Sequence, residues 1–194
     1  MDVKIDISNV TLETPRVYLR SFKEGDINDL FEYCSVPGVG EAAGWKHHEN
    51  LDRTRIILDM FIKEKNVFAI VLKENNKVIG SVGFHNSWAV EDKNFEFLNT
   101  TEIGYALSKE YWGRGLMTEV VKRVIDYSFE YIDIDVLVVG HIWNNDRSRR
   151  VIEKCGFKMY KVGIFYSKEL DQEFDDINYY LTKKFYQLEI MKKR

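Results

Sequence analysis

The pattern of apolar and polar residues changes period within residues 101–129, and the change predicts a strand followed by a helix. Ile103, Tyr105 and Leu107 alternate with other residues, which is the period of a β-strand. After a short loop, apolar residues recur at the spacing of an amphipathic helix. The two apolar rows of this helix are Leu116, Val120 and Val124, and Met117, Val121, Ile125 and Phe129.

The loop between this strand and this helix has the composition of a phosphate-binding turn. The first amides of a helix lack intrahelical partners and carry partial positive charge, and Gly113 and Gly115 would let an anion approach the backbone. Neither G-x-x-x-x-G-K-[ST] nor G-x-G-x-x-G is present, so the loop matches neither common phosphate motif. A tight turn with helix-capping glycines explains the loop equally well when it is considered alone.

A second strand and a second helix follow. Residues 134–142 are rich in β-branched side chains, which predicts a strand that is buried on both faces. Asn145 is a suitable N-cap for the next helix, and Gly156 is suited to end it. The order strand, glycine loop, helix, strand, helix gives the loop a more specific context than it has alone.

Three segments together resemble the GCN5-related N-acetyltransferases (GNAT superfamily), in particular the ribosomal-protein-alanine acetyltransferase-like (RimJ/RimL-type) branch. The segments are EIGYALSKEYWGRGLMTE, NDRSRRVIEKCGF and FDDINYYL, and the resemblance extends over about residues 14–185. The family's pyrophosphate loop usually begins with Gln or Arg and ends with Gly or Ala. Here Trp112 has the first position and Met117 the last, so the main-chain amides are the expected contacts.

The resemblance implies an α/β fold with a mixed, mostly antiparallel central sheet flanked by helices. The implied order is one strand, two helices, three antiparallel strands, a helix, a parallel strand, a helix and two more strands. The strands at 101–107 and 134–142 are expected to splay apart, so that acetyl-CoA lies between them. The expected cofactor contacts are Leu107, Trp112, Gly113, Arg114, Gly115, Leu116, Met117, Thr118, Asn145 and Ser148.

Two residues are the expected catalytic groups. Glu102 heads the strand that leads into the loop and is the predicted base for the acceptor amine; a surface carboxylate at a strand end is the alternative. Ser148 matches the serine of the family's N-x-x-S segment and is expected to donate a hydrogen bond to the leaving thiolate. A helix-capping serine is the alternative for Ser148.

Trp45, His47 and His141 are the predicted substrate-binding residues. The neighbouring His47 and His48 lack the spacing of H-E-x-x-H, so no metal site is predicted. Tyr105, Tyr166 and Tyr179 are interpreted as packing residues. The pair Asp175 and Asp176 is interpreted as two carboxylates at a strand start, with the binding of a cationic amine as the alternative.

The remaining segments complete the expected fold. Residues 1–13 form an N-terminal arm or an edge strand, and the long segment 86–100 is either functional or a disordered hairpin tip. A helix is predicted over residues 51–65, with Ile56, Ile57, Met60 and Phe61 as its apolar face. A hairpin is expected over residues 66–85, and final strands are expected over residues 158–168 and 173–186.

Composition narrows the function. The chain has 194 residues, is 45% hydrophobic and 30% charged, and carries a net charge of −3, which suits one globular domain without a general affinity for nucleic acid or membranes. No signal peptide or membrane-length apolar run is present, and a cytoplasmic protein is expected. A homodimer is left open.

The predicted function is an acetyl-CoA-dependent N-acetyltransferase that acts on a primary amine by direct transfer in a ternary complex. The acceptor is either a protein N-terminus or a small amine. Both alternatives stay open because a fold and a cofactor site do not specify the acceptor. One alternative is a non-catalytic acyl-CoA-binding sensor, which would bind acetyl-CoA without turnover. Another is a phosphate-binding domain that does not bind CoA.

Overall fold

The computed structural model describes residues 1–192, with side chains described to residue 189. The strands are β1 (Leu12–Glu13), β2 (Val17–Ser21), β3 (Val67–Leu72), β4 (Val78–His85), β5 (Thr100–Leu107), β6 (Val136–Ile142), β7 (Lys158–Ser167) and β8 (Gln172–Thr182). The helices are α1 (Ile27–Cys34), α2 (Leu51–Glu64), α3 (Leu116–Tyr131), α4 (Asp146–Lys154) and α5 (Lys183–Lys192). Short 3₁₀ turns lie at Glu24–Asp26, Glu41–Ala43, Trp88–Glu91, Lys93–Phe95 and Lys109–Tyr111.

Within residues 1–192 the strands form one sheet in the order β1-β2-β3-β4-β5-β6-β8-β7. The pair β5–β6 is parallel, and the other neighbouring pairs are antiparallel. This arrangement confirms the predicted mixed, mostly antiparallel sheet. Because β8 inserts between β6 and β7, the last hairpin places its second strand against the centre of the sheet.

Helices cover both faces of the sheet. Alternate side chains of β3 therefore belong to two different core clusters. Phe68 and Ile70 belong to the core cluster that contains the buried face of α3, whereas Val67 and Ala69 belong to the cluster that contains α1 and α2. Both rows predicted for α3 are buried, which confirms the period read from the sequence. The sheet is therefore enclosed on both faces at its centre.

The predicted apolar face of α2 is correct for Phe61, which packs against the α1–α2 core cluster, and wrong for Ile56 and Met60. Ile56 and Met60 are 60% and 44% exposed, and the fully buried positions are Thr54 and Leu58. Apolar residues surround much of this helix, so its sequence does not identify one inward face. A buried hydrogen bond of 2.9 Å between the His48 ring and the Thr54 hydroxyl turns Thr54 inward.

The last strand is shorter than predicted. β8 ends at Thr182, and α5 occupies the residues that were expected to continue it. The Thr182 hydroxyl accepts a hydrogen bond of 3.1 Å from the Phe185 amide, as a helix-capping side chain does. The aromatic residues Phe185 and Tyr186 favour a strand locally, but both pack beside the main core as part of α5.

The two segments that sequence left undecided are both folded. The arm contributes the short strand β1 and buries Ile5 and Ile7, and its Asp2 forms a single parallel bridge with Thr100. Residues 86–100 contain two 3₁₀ turns rather than a disordered tip. Both segments lie beside the start of β5, where the predicted base is located.

Candidate active site

The central feature of the site is a split in the sheet between β5 and β6. Parallel pairing covers only Thr100–Glu102 and Val136–Val138. Beyond these residues, β5 continues along β4 and β6 continues along β8, so the two strands diverge as predicted. A cavity of about 440 Å³ occupies the split, and both strands line it. Because the diverging stretches face a cavity rather than each other, their facing backbone groups are available to an extended ligand.

The glycine loop at the start of α3 opens onto this cavity. Gly113 and Gly115 have φ angles of +74° and +76°, a conformation that glycine adopts readily. A Cβ atom at Gly113 would meet nothing within 4 Å, and one at Gly115 would meet only the Arg16 guanidinium at 3.8 Å. Arg16 also donates to the Arg114 carbonyl at 2.9 Å and pairs with Glu119, which ties the loop to α3. An anion could thus approach the backbone amides closely.

The predicted cofactor residues have two kinds of location. Arg114 does not line the cavity, because its guanidinium lies over the Tyr111 ring at 5.3 Å. The others all line the cavity: Leu107, Trp112, Gly113, Gly115, Leu116, Met117, Thr118, Asn145 and Ser148. The side chains of Arg147, Arg150 and Lys154 add positive charge to the same wall.

Trp112 explains how this loop departs from the usual family pattern. Its indole N–H donates to the Leu107 carbonyl at 2.7 Å, so the ring is fixed against the end of β5. The Arg147 guanidinium lies over this ring at 4.3 Å, within the range of a cation–π contact. Trp112 therefore orients a basic residue of α4, and leaves the donors for an anion to the main chain and to Arg147.

Two hydroxyl groups meet where α4 begins. The Ser148 hydroxyl lies 2.8 Å from that of Tyr105, and both residues line the cavity. Burial raises the pKa of Tyr105, so its hydroxyl stays protonated and can donate a hydrogen bond. Tyr105 was interpreted as a packing residue, and only the approach of α4 to β5 reveals its partner.

Asn145 acts as the predicted N-cap. Its side-chain oxygen accepts from the Ser148 amide at 3.1 Å, and its side-chain nitrogen donates to the Ala42 carbonyl at 2.8 Å. The residue thus fixes the first turn of α4 and joins it to the turn at Glu41–Ala43. Ser148 is held in place for its contact with Tyr105 by this same cap.

Glu102 lies at the point where the strands begin to diverge. It lines the cavity, and the Trp88 amide near its carboxylate partly lowers its pKa. Burial, and then the negative charge of Asp176, raise the pKa of Glu102 to about 7. A carboxyl group with this pKa is suited to exchange protons near neutral pH.

Asp176 of β8 lines the same cavity, whereas Asp175 is exposed. Burial raises the pKa of Asp176, and its carboxylate accepts a hydrogen bond of 2.9 Å from Asn178. A Cβ atom on Gly140 would lie 3.1 Å from one Asp176 oxygen, so the missing side chain makes room for this carboxylate. No ion pair in the described part of the chain includes Glu102 or Asp176.

The carboxyl and hydroxyl groups lie on opposite faces of the sheet. Successive side chains of a strand alternate between faces, so Glu102 and Tyr105 of β5 point in opposite directions. The pairing of β5 and β8 with β6 places Asp176 on the same face as Glu102. The split therefore joins an acidic face to a face that carries two hydroxyl groups.

The predicted substrate residues are not brought together. His141 lines the cavity, but its ring is buried and contacts the Ile142 carbonyl at 2.9 Å and the Tyr179 hydroxyl at 3.2 Å. Trp45 packs against His48 and the α1–α2 core cluster, outside the cavity lining.

His47 pairs with Glu41 at 2.7 Å and borders a separate shallow hollow. The turn at Glu41–Ala43 instead contributes the small side chains of Ala42 and Ala43 to the cavity wall. The cavity wall in this region consists of Val39, Ala42, Ala43 and Phe165, which no spacing in the sequence marks as site residues.

Across residues 1–192, no group of three or more His, Cys, Asp or Glu side chains is arranged to hold a metal ion. Over the same range, no helix is both long enough and apolar enough to cross a bilayer.

The fold and the cavity define a class of transferase domain, and comparison with known proteins identifies the family. Residues 16–158 match the acetyltransferase (GNAT) domain, so the chain belongs to the GNAT acetyltransferase family. The predicted family and fold are confirmed. A relative that covers nearly the whole chain is the uncharacterized N-acetyltransferase p20 of Bacillus licheniformis, which is 26% identical over 181 residues, 91% of this chain and 98% of the relative.

Solved structures share the fold. A GNAT-family acetyltransferase from Bacillus anthracis has a TM-score of 0.77 at 19% identity, over 90% of this chain and 99% of that one. The microcin C7 self-immunity acetyltransferase MccE, in complex with acetyl-CoA and AMP, has a TM-score of 0.70 at 17% identity, over 87% and 93% of the two chains.

Proposed function

We propose that this protein transfers an acetyl group from acetyl-CoA to a primary amine that reaches the site as a cation. The observation that carries the proposal is the split between β5 and β6, with carboxyl groups on one face and hydroxyl groups on the other. An acetyl transferase needs a base for the attacking amine and a hydrogen-bond donor for the leaving group on opposite sides of the acyl carbon.

Acetyl-CoA fits the residues that line the cavity. The exposed amides of the loop at Gly113 and Gly115 suit a pyrophosphate, and Arg147, Arg150 and Lys154 suit the cofactor's phosphate groups. The complex of MccE with acetyl-CoA supports the same cofactor here. When it is bound, acetyl-CoA supplies an activated acetyl thioester.

The acidic face has the properties of an acceptor site. Glu102 and Asp176 have no Lys or Arg partner among the described ion pairs, and two neighbouring carboxyl groups are costly to ionise together. A primary ammonium ion offsets this repulsion when it binds. Glu102, with a pKa of about 7, then accepts a proton from the amine directly or through a water molecule.

The opposite face acts on the leaving group. Tyr105 and Ser148 form a pair of hydroxyl groups in which one donates to the other, so one proton remains to be donated into the cavity. A hydrogen bond to a charged sulfur stabilises the departing thiolate without requiring full proton transfer. No covalent enzyme intermediate is needed.

An acceptor panel tests this proposal. Acetyl-CoA is mixed with peptides that carry a free N-terminus, with the same peptides N-formylated, and with small primary amines, and free thiol is measured. We expect turnover with at least one free amine and none with its blocked counterpart. Tight binding of acetyl-CoA without turnover of any amine would contradict the enzymatic function and support the sensor alternative.

A further inference from the structure

The N-terminal arm takes a place in the sheet next to the predicted base. β4 ends at His85, whose cross-strand partner on β5 is Glu102. Beyond that end, Asp2 forms a parallel bridge with Thr100. The Thr100 amide donates to the Met1 carbonyl at 2.9 Å, and the Val3 amide donates to the Thr100 carbonyl at 3.2 Å. The arm therefore borders β5 two residues before Glu102.

Asp2 also holds the loop that follows β4. Its carboxylate accepts a hydrogen bond of 2.8 Å from the Ser87 amide, and Ser87 is only 3% exposed. The Ser87 hydroxyl accepts from the Ala89 amide at 3.1 Å, which shapes the turn. The next amide, that of Trp88, faces the Glu102 carboxylate and lowers its pKa. Adjacent amides of one turn thus connect Asp2 with Glu102.

The other side of this loop is held by β7. The Trp88 ring stacks on Tyr160 with centroids 5.3 Å apart, and the Lys161 ammonium lies 4.4 Å from the Trp88 ring centroid. The Tyr160 hydroxyl donates to Asp92 at 2.9 Å. The Trp88 side chain is therefore held by β7, whereas the backbone of the turn is held by the arm through Asp2.

We propose that Asp2 of the arm and the loop of residues 86–95 position the carboxylate of Glu102 for proton transfer. Without Asp2, the Ser87 amide would lose its acceptor, and the turn would move to recover a partner. The Trp88 amide would then no longer face Glu102. Asp2 is a positioning residue, since it acts through the turn and not on the acceptor. The inference rests on the proposed role of Glu102 as the base.

Several titratable groups surround Glu102, and the test must separate them. Asp176 lies across the cavity on β8, His85 is the cross-strand neighbour on β4, and His141 lines the cavity from β6. On the loop itself, Asp92 is already paired with Tyr160 and Lys161. Asp2 has two opposing effects: its charge raises the pKa of Glu102, while the Trp88 amide that it helps to hold lowers it.

Asp2→Asn and Asp2→Ala separate these effects. The asparagine keeps an oxygen for the Ser87 amide but loses the charge, whereas the alanine loses both. Asp6→Asn is the matched control, because Asp6 belongs to the same arm and pairs with Ser8 and Lys65, away from Glu102. All four proteins are compared by thermal unfolding to establish that each is folded.

The first measurement does not depend on activity. Hydrogen exchange of the Ser87 amide should accelerate roughly 10- to 100-fold in Asp2→Ala, the equivalent of one lost hydrogen bond to a charged group, and should stay near wild type in Asp2→Asn and Asp6→Asn. ¹³C NMR of the Glu102 carboxyl should show a lower titration midpoint in Asp2→Asn, because a like charge has been removed. If the wild type transfers no acetyl group, the proposed function fails. The exchange measurement still shows whether Asp2 holds the turn in place.

The second measurement is the pH profile of kcat/KM with an accepted amine. In Asp2→Asn the acidic limb should move to lower pH while the plateau is retained. In Asp2→Ala the plateau itself should fall several-fold. Equal plateaus in all variants, or unchanged exchange of the Ser87 amide in a folded Asp2→Ala protein, would overturn the proposal. A change in Asp6→Asn equal to that in Asp2→Ala would also overturn it.

Discussion

Replacing Glu102 by glutamine tests the chemical role of this residue most directly. Glutamine keeps the size of the side chain and a hydrogen-bonding oxygen, but it cannot accept a proton near neutral pH. The phosphate loop and the hydroxyl pair lie elsewhere in the cavity and are unchanged. Acetyl-CoA binding should therefore stay near that of the wild type.

The effect on rate follows from the environment of Glu102. Because burial and the charge of Asp176 raise its pKa to about 7, kcat/KM of the wild type should rise with pH around this value. In Glu102→Gln that rise should disappear, and turnover should fall by roughly 10²–10⁴, the usual share of general acid–base catalysis. The defect should shrink at high pH with acceptors that lose their own proton there.

The same substitution should lower turnover but raise the stability of the folded protein at high pH. A raised carboxyl pKa means that ionisation disfavours the folded state, so wild-type stability should decrease as pH rises from about 4.5 to about 7. A shift of this size corresponds to at most about 3 kcal/mol. Glu102→Gln does not ionise, so at pH 8 it should be more stable than the wild type, and the difference should vanish below about pH 4.

Three assays decide the matter: calorimetry of acetyl-CoA binding, thiol release over a pH series, and denaturant unfolding at low and high pH. Near-normal turnover of a folded Glu102→Gln protein across neutral pH, with the acidic limb still present, would refute the assignment. Asp176 would then be the carboxyl group to test as the proton acceptor.

Further predictions concern the other parts of the site. Gly115→Asp places a carboxylate at a positive φ angle in the phosphate loop, and calorimetry should show acetyl-CoA binding weakened by tenfold or more, about 1.4 kcal/mol; unchanged affinity in a folded protein would contradict the role of the loop. Ser148→Ala and Tyr105→Phe should each lower kcat several-fold, consistent with about 1 kcal/mol per neutral hydrogen bond, with little change in acetyl-CoA affinity. The double variant should lose less than the sum, and strict additivity would mean that the two hydroxyls act separately. Asp176→Asn should raise KM for a cationic amine and move the acidic limb of kcat/KM to lower pH, because a like charge near Glu102 is gone; an unchanged KM and profile would exclude Asp176 from the acceptor site.

Local patterns in the sequence were enough for the elements around the cofactor loop. The rows of α3, the strand at 100–107, the N-cap at Asn145 and the glycines at the start of α3 all depend on near neighbours in the chain. Such features have a period or a fixed offset, and they are visible before any tertiary contact is known. The family resemblance added the order of the strands and the split between two of them.

Contacts between distant segments were not visible in this way. The inward face of α2 depends on a bond from His48, and the helix α5 depends on a cap at Thr182 and on packing against the core. In both places the local sequence is compatible with more than one arrangement. Tertiary packing selects among such arrangements, because the free energy of burial exceeds the small differences in local propensity.

The sequence by itself therefore determined the family, the glycine loop before α3 and the two residues, Glu102 and Ser148, that the fold brings to one cavity. Only the tertiary structure decided what surrounds them. The insertion of β8 beside β6 brings Asp176 to the acidic face, α4 brings Ser148 to Tyr105, and the arm brings Asp2 to the turn above Glu102. Each of these contacts joins residues more than thirty positions apart, and a separation of that length leaves no period in the sequence to read.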